Sequence, residues 1–287
     1  MDLHEQARRL GELQALDQVA SPLARKAKEL IAPGPVKDVL SGTGLGHPLH
    51  PVLTDIPIGL FTSATVLDLL AGRRARGAVN ALVALGLAGT LPTAVAGLAD
   101  WSDTQGTEQR VGVVHAAANV TGTCLFAASL LNRLRGRRYR GRVQGLLGMA
   151  TLAAGGYLGG FLSYGRGVGV NNAFFQPELD EWTAVADESE LHPGAAVMKE
   201  AGGATILLYR SGGRIHAIGS RCTHAGGPLH EGKIDDSTLC VECPWHGSVF
   251  SLEDGTVVHG PASVPEAAYE VRTTAGRIEV RASAPRA

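Results

Sequence analysis

The chain has 287 residues and a formal net charge of −1. Only 18% of residues are charged, 45% are hydrophobic, and the mean hydropathy is +0.07. This composition excludes a disordered chain, argues against an ordinary cytosolic enzyme, and offers no charge excess for nucleic acid. The 38 glycines, set against 5% aromatics, suit a membrane bundle in which small residues let helices approach. Four widely spread cysteines are too few for a secreted disulfide scaffold.

Residues 1–40 form a charged, amphipathic segment. Leu3, Leu10, Leu13, Leu16 and Val19 recur at helical spacing, and Pro33 and Pro35 end the pattern. The expectation is a surface or interfacial helix. The first long apolar run lies too far in for a signal peptide. Residues 77–99, 111–132 and 143–165 are then free of charge, each long enough to cross about 30 Å of hydrocarbon. A shorter run, 56–67, lies between Asp55 and Asp68 and is completed by 51–55. Together they predict four transmembrane helices within 41–171. Gly155, Gly156, Gly159 and Gly160 form two small-residue pairs for close packing, and Cys124 reads as a small packing residue in mid-membrane.

Loop charge sets an expected topology. The first connection carries Arg73, Arg74 and Arg76, and the third carries Arg133, Arg135, Arg137, Arg138, Arg140 and Arg142. The second has Asp100, Asp103 and Glu108 against Arg110. Positive-inside logic makes this a multi-pass protein of the cell membrane with both termini, and the C-terminal domain, outside the cytoplasm.

Residues 172–181 read as a linker, and 182–287 change character. Short β-rich runs at 205–209, 215–218, 248–251, 269–272 and 278–281 lie near glycine-containing turns. This domain has 13 acidic and 9 basic residues, a net −4. The fold class is therefore α + β multidomain, with an N-terminal four-helix transmembrane bundle and a C-terminal all-β domain.

The chemistry is concentrated in Cys222-Thr223-His224 and Cys243-Pro244-Trp245-His246. Each half offers one thiolate and one imidazole, 18 residues separate the halves, and Gly226, Gly227, Pro244 and Gly247 suit tight loops. A [2Fe–2S] cluster with two Cys and two His, a structural Cys₂His₂ zinc site and a chance arrangement all remain open on spacing alone. Mixed Cys/His halves favour iron–sulfur over zinc. Cys240, three residues before Cys243, falls on an expected strand and reads as structural.

Residues 182–284 resemble a Rieske [2Fe–2S] domain. The stretch from Cys222 through Leu229 (CTHAGGPL) matches the family's first cluster loop, and that from Cys243 through Phe250 (CPWHGSVF) its second. Gly260-Pro261-Ala262 stands where the family has a loop covering the cluster. The resemblance implies that Cys222 and Cys243 hold the buried iron and His224 and His246 the outer one, with Thr223, Gly247, Ser248 and Pro261 around them. Rieske proteins of cytochrome bc complexes have two further, disulfide-linked cysteines; Gly227 and Trp245 stand there instead. Phe250 replaces a Tyr hydroxyl, while Ser248 keeps its own. Fewer donors to the cluster imply a potential nearer about −150 mV than +300 mV.

Residues 35–171 resemble a bacterial four-helix membrane domain to which no activity is assigned, through 46–51, 55–59, Gly159-Gly160 and 167–170. His47, His50 and His115 fall toward the outer leaflet. They read either as packing residues or as ligands of a second redox centre, haem b on His115 and one of His47 and His50. His192, His216, His230 and His259 read as surface residues. No 2-His-1-carboxylate site follows His246, which disfavours a self-contained oxygenase. Two functions remain: a membrane-anchored one-electron carrier between a membrane donor, such as a quinol, and a partner, or a redox-sensing or structural subunit without turnover.

Overall fold

A computed structural model describes residues 2–72 and 74–283; Arg73 and residues 284–287 lie outside it. The helices are α1 (Leu3–Glu12), α2 (Asp17–Leu30), α3 (Pro35–Ser41), α4 (Leu49–Leu70), α5 (Arg76–Ser102), α6 (Gly106–Leu134) and α7 (Arg138–Gly160), the last extended by a π-turn at Phe161–Gly165. The strands are β1 (Thr183–Asp187), β2 (Ala196–Ala201), β3 (Ala204–Ser211), β4 (Arg214–Gly219), β5 (Lys233–Asp235), β6 (Cys240–Glu242), β7 (Val249–Ser251), β8 (Val257–His259), β9 (Tyr269–Thr274) and β10 (Arg277–Ala282). The chain forms two units: one takes the residues up to Ala32 with Leu49–Val168, the other takes Pro33–Pro48 with the chain from Gly169 onward. The stretch 33–48, which the sequence divides between an amphipathic segment and the membrane domain, thus groups with the β domain.

In the helical unit α4, α5, α6 and α7 are each long and apolar enough to cross a membrane. The first span is fuller than its short charge-free run suggests, because α4 runs 22 residues with Pro57 inside it. Its centre is a stack of Phe61 on Phe126, 4.0 Å between ring centroids, packed with Ala64, Val79 and Val83. A Cβ at Gly86 would lie 2.6 Å from the Phe61 ring, so only glycine lets α5 come this close to α4.

Three expectations need correction here. The first 30 residues form two helices, α1 and α2, not one; Leu3, Leu13, Val19 and Leu23 are exposed, as an interfacial segment requires, while Leu10 packs partly against the bundle beside the buried Ala7, Gly11, Ala20, Ala24 and Ala27. A Cβ at Gly11 would lie 2.3 Å from the Thr107 methyl, and a contact that tight admits only small side chains. The outward leucines suit the lipid–water boundary. Second, Gly155 and Gly159 make close contacts, with Asn119 and His115, but Gly156 has nothing within 4 Å and Gly160 meets only Tyr164 at 3.9 Å. Third, Cys124 is exposed and is not a packing residue of the bundle.

The β domain has three antiparallel sheets, ordered β1-β10-β9, β2-β3-β4 and β5-β6-β7-β8. Strand β3 is apolar on both faces. Alternation sends Ile206 and Leu208 into a core with Ile278 and Val280, and Leu207 and Tyr209 into another with Val241, Phe250 and Leu252. The second core ends at Cys222 and Cys243, so the site loops rest on packed hydrocarbon. His192 and His259 are exposed as expected, but His216 and His230 are half-buried. His230 Nδ1 lies 2.9 Å from the Ser220 hydroxyl.

Candidate metal centre

The two loops have one construction used twice. The Cys222 amide donates to the Gly227 carbonyl at 2.8 Å, and the Gly226 amide donates back to the Cys222 carbonyl at 2.7 Å. In the second loop the Cys243 amide donates to the Ser248 carbonyl at 2.8 Å, and the Gly247 amide donates to the Cys243 carbonyl at 3.1 Å. The residue four places after each cysteine must turn left-handed, and it is a glycine both times, Gly226 at φ +79° and Gly247 at φ +77°. The loops meet closely: a Cβ at Gly227 would lie 2.8 Å from the Cys243 sulfur.

This brings the four motif residues together. Cys222 and Cys243 are buried, and their side chains hydrogen-bond to each other. That bond, and burial, push the Cys222 thiol up; the same bond and the backbone amides of Trp245 and His246 lower Cys243. Amides aimed at a sulfur stabilise it as thiolate, the form that binds metal. The His224 amide also points at Cys222 sulfur. The rings of His224 and His246 stand 5.0 Å apart, nearly perpendicular, and both are half-buried. Two soft sulfur donors inside and two imidazoles at the edge fit a diiron cluster with one all-sulfur and one imidazole-bound iron. Trp245, 56% exposed, flanks the His246 ring at 6.3 Å.

The surrounding residues hold the loops in place. Thr223 is tied twice, its amide to the Glu266 carboxylate at 2.6 Å and its hydroxyl to the Val264 carbonyl at 2.7 Å. Ser248 is fully buried and its oxygen accepts the Ala262 amide at 2.9 Å, leaving its own proton for an acceptor in the site. Pro261 is buried between Gly260 and Ala262. Phe250 lies in the core and offers no hydroxyl. Cys240 sits on β6, half-buried, its thiol 3.4 Å from the Thr238 carbonyl.

Three residues of the site escaped sequence reasoning. Asp38 in α3 accepts the Gly260 amide at 2.7 Å and faces His259 Nδ1 at 2.9 Å; Thr43 donates to the Ala262 carbonyl at 3.0 Å. Both brace the covering loop from more than 200 residues away, with no local motif to announce them. Glu266 is buried at 4% exposure, and burial pushes its carboxyl up to about 8. Among the membrane histidines, His47 is exposed and its Nδ1 lies 3.1 Å from the carbonyl of the adjacent Pro48, whereas His50 and His115 come together in the helical unit.

Family models match both parts of the chain, and curated proteins match the β part. Residues 181–274 fit the Rieske [2Fe–2S] domain, and residues 46–172 fit a predicted membrane protein family, DUF2231. Ferredoxin CarAc of Metapseudomonas resinovorans is 32% identical over 34% of this chain and 92% of its own length. The anthranilate 1,2-dioxygenase ferredoxin subunit of Burkholderia cepacia is 29% identical over 36% of this chain and 93% of its own. Human apoptosis-inducing factor 3 is 32% identical over 35% of this chain, but the match spans only 16% of that protein. Among solved structures, the ferredoxin of carbazole 1,9a-dioxygenase from Nocardioides aromaticivorans IC177 is 28% identical, with 36% of this chain and 98% of that one covered and a TM-score of 0.34. The chain thus belongs to the Rieske [2Fe–2S] family, with its Rieske domain following a DUF2231 membrane domain.

Proposed function

We propose that Cys222 and Cys243 hold one iron of a [2Fe–2S] cluster, that His224 and His246 hold the other, and that the chain is a membrane-anchored one-electron carrier. The observation that carries this reading is the convergence of two hydrogen-bonded thiols with two imidazoles 5.0 Å apart, on loops of identical construction. The cluster supplies exchange of single electrons. The protein keeps the sulfurs dry, aims amides at them, and leaves the two imidazoles at the rim. Each imidazole keeps a second ring nitrogen that can hold a proton, so electron and proton uptake couple there.

The donor is a membrane component, a quinol or a neighbouring subunit, and the acceptor is a protein of oxidoreductase type. Relatives named as ferredoxin subunits of dioxygenases support the second half of that statement. Trp245, exposed beside the rim, suits the contact with such a partner. Phe250 in place of a hydroxyl supports a low to intermediate potential. The arginines of the third connection support an extracytoplasmic β domain. Arg133 contributes least to that bias, because Asp68 neutralises it, but Arg135, Arg137, Arg138, Arg140 and Arg142 remain.

Full-length protein purified without oxygen tests the reading. Iron at two equivalents per chain and a Rieske-type EPR signal on reduction are expected; Cys222→Ser abolishes the signal and Cys240→Ser leaves it. The midpoint lies below about +200 mV, and a quinol analogue or a membrane donor complex reduces the cluster. A colourless protein holding zinc or nothing overturns the carrier. A cluster that titrates but turns over with no membrane donor shifts the reading to a sensor. Protease digestion of oriented vesicles decides the side.

A further inference from the structure

The helical unit brings His50 of α4 and His115 of α6 close together. Their ring centroids are 6.5 Å apart and their planes cross at 84°. Each ring is fixed by a backbone carbonyl of another helix: His50 Nδ1 lies 2.9 Å from the Thr93 oxygen in α5, and His115 Nδ1 lies 2.8 Å from the Gly155 oxygen in α7. A carbonyl oxygen only accepts, so Nδ1 carries the proton in both rings and Nε2 keeps its lone pair. This is the tautomer of a metal-binding imidazole, and an Nδ1–H to carbonyl bond is the usual way to orient one.

The spacing is also that of a metal pair. A metal–nitrogen bond of about 2.0 Å, plus roughly 1.2 Å from nitrogen to ring centre, puts two trans imidazoles about 6.4 Å apart. The Asn119 amide does not block the lone pair of His115. It lies 3.2 Å from Nε2 and 3.4 Å from Nδ1. A partner in line with the Nε2 lone pair would stand about 5 Å from Nδ1, so the amide is over the ring face. Glycine gives both rings their seats. A Cβ at Gly97 would come within 2.7 Å of the His50 ring, and one at Gly159 within 3.0 Å of the His115 ring.

Two imidazoles are too few for a bare ion, and among the described residues no third His, Cys, Asp or Glu joins this pair. They are enough for an iron that arrives with four equatorial nitrogens of its own, inside an apolar disc that a membrane bundle accommodates. The sequence has no Cys-x-x-Cys-His, so attachment is not covalent. We propose that His50 and His115 are the axial ligands of a haem b in the helical unit, with His47 taking no part. The site is independent of the iron–sulfur assignment and stands or falls separately.

The probe is haemin, titrated into the full-length protein in detergent. A six-coordinate low-spin spectrum at a single equivalent is expected, sharpening on reduction. His50→Ala and His115→Ala should each weaken binding by at least about tenfold, while His47→Ala leaves it unchanged and the iron–sulfur EPR signal persists in all three. Absence of a haem spectrum, or one insensitive to both alanine substitutions, overturns the proposal. Should either variant fail to accumulate, the ferric EPR of the unaltered protein decides. Crossed ring planes give a highly anisotropic low-spin signal, and a high-spin, five-coordinate signal overturns the assignment.

Discussion

Each unit buries charge, and the two units manage it in opposite ways. In the helical unit Arg133 (4% exposed) and Asp68 (7%) face each other in a two-pronged pair, at 3.0 and 2.8 Å, and Ser129 accepts from the guanidinium at 3.0 Å. Each charge finds its opposite at hydrogen-bond distance, which offsets the cost of burying both. In the β unit Glu266 is as deeply buried, but among the described residues no cation pairs with it. One oxygen accepts the Thr223 amide, and the other has no hydrogen-bond partner among the described residues. Burial, opposed by the Thr223 hydrogen bonds and reinforced by the nearby Cys243 sulfur, moves its carboxyl up to about 8. One unit pairs its buried carboxylate with a cation; the other lets the carboxyl take up a proton.

Arg133→Ala breaks the first arrangement and carries the largest effect. It strands a buried carboxylate, at a cost of about 3–5 kcal/mol, read as a fall in the melting temperature of the detergent-solubilised protein. The double change Arg133→Met with Asp68→Leu removes both charges and should recover most of the loss. Failure of Asp68→Asn to recover any of the Arg133→Ala loss would show that packing, not charge, dominates there.

Glu266 sharpens the contrast through pH. Its folded value is raised above the ordinary carboxylate value of 4.5. The stability from its bound proton is therefore complete below about pH 4.5 and is lost as pH rises through 8. Over that window the β unit should weaken by up to about 1.4 kcal/mol per pH unit. Glu266→Gln should flatten the dependence while keeping an acceptor for Thr223. Denaturant titration at pH 5.5 and 8 measures it, and parallel slopes in the two proteins would refute the assignment.

Asp38 lies between these cases, partly exposed and accepting a buried amide. Asp38→Ala should cost about 1.5–3 kcal/mol and speed hydrogen exchange at Gly260 and Ala262 before it affects the distant strands. Asp38→Asn, which keeps an acceptor, should cost less.

The residues that were legible in advance are those whose signal is local. Charge-free runs exposed the helices, because hydrocarbon excludes charge over a fixed length. The cluster loops were legible because ligand, glycine and proline positions repeat within eight residues. Strands β5 and β8 went unseen because three residues carry no alternation, and β1 and β2 because they bury almost none of their side chains. The leucines of residues 1–40 pointed to an interfacial segment, and the exposed ones agree, but their stripe gave no sign of the break between α1 and α2. Asp38 and Glu266 were invisible for another reason. Their meaning comes from Gly260 and Thr223, 222 and 43 residues away, and no window along the chain contains both partners.

The brace from α3 has a consequence for biogenesis. The ribosome delivers Asp38 and Thr43 first, then four hydrophobic helices, and only afterwards the loop they clamp. Final closure of the β unit must wait until the membrane insert is complete. A fragment expressed from Gly169 onward would lack that early piece and leave the Gly260 amide without its carboxylate.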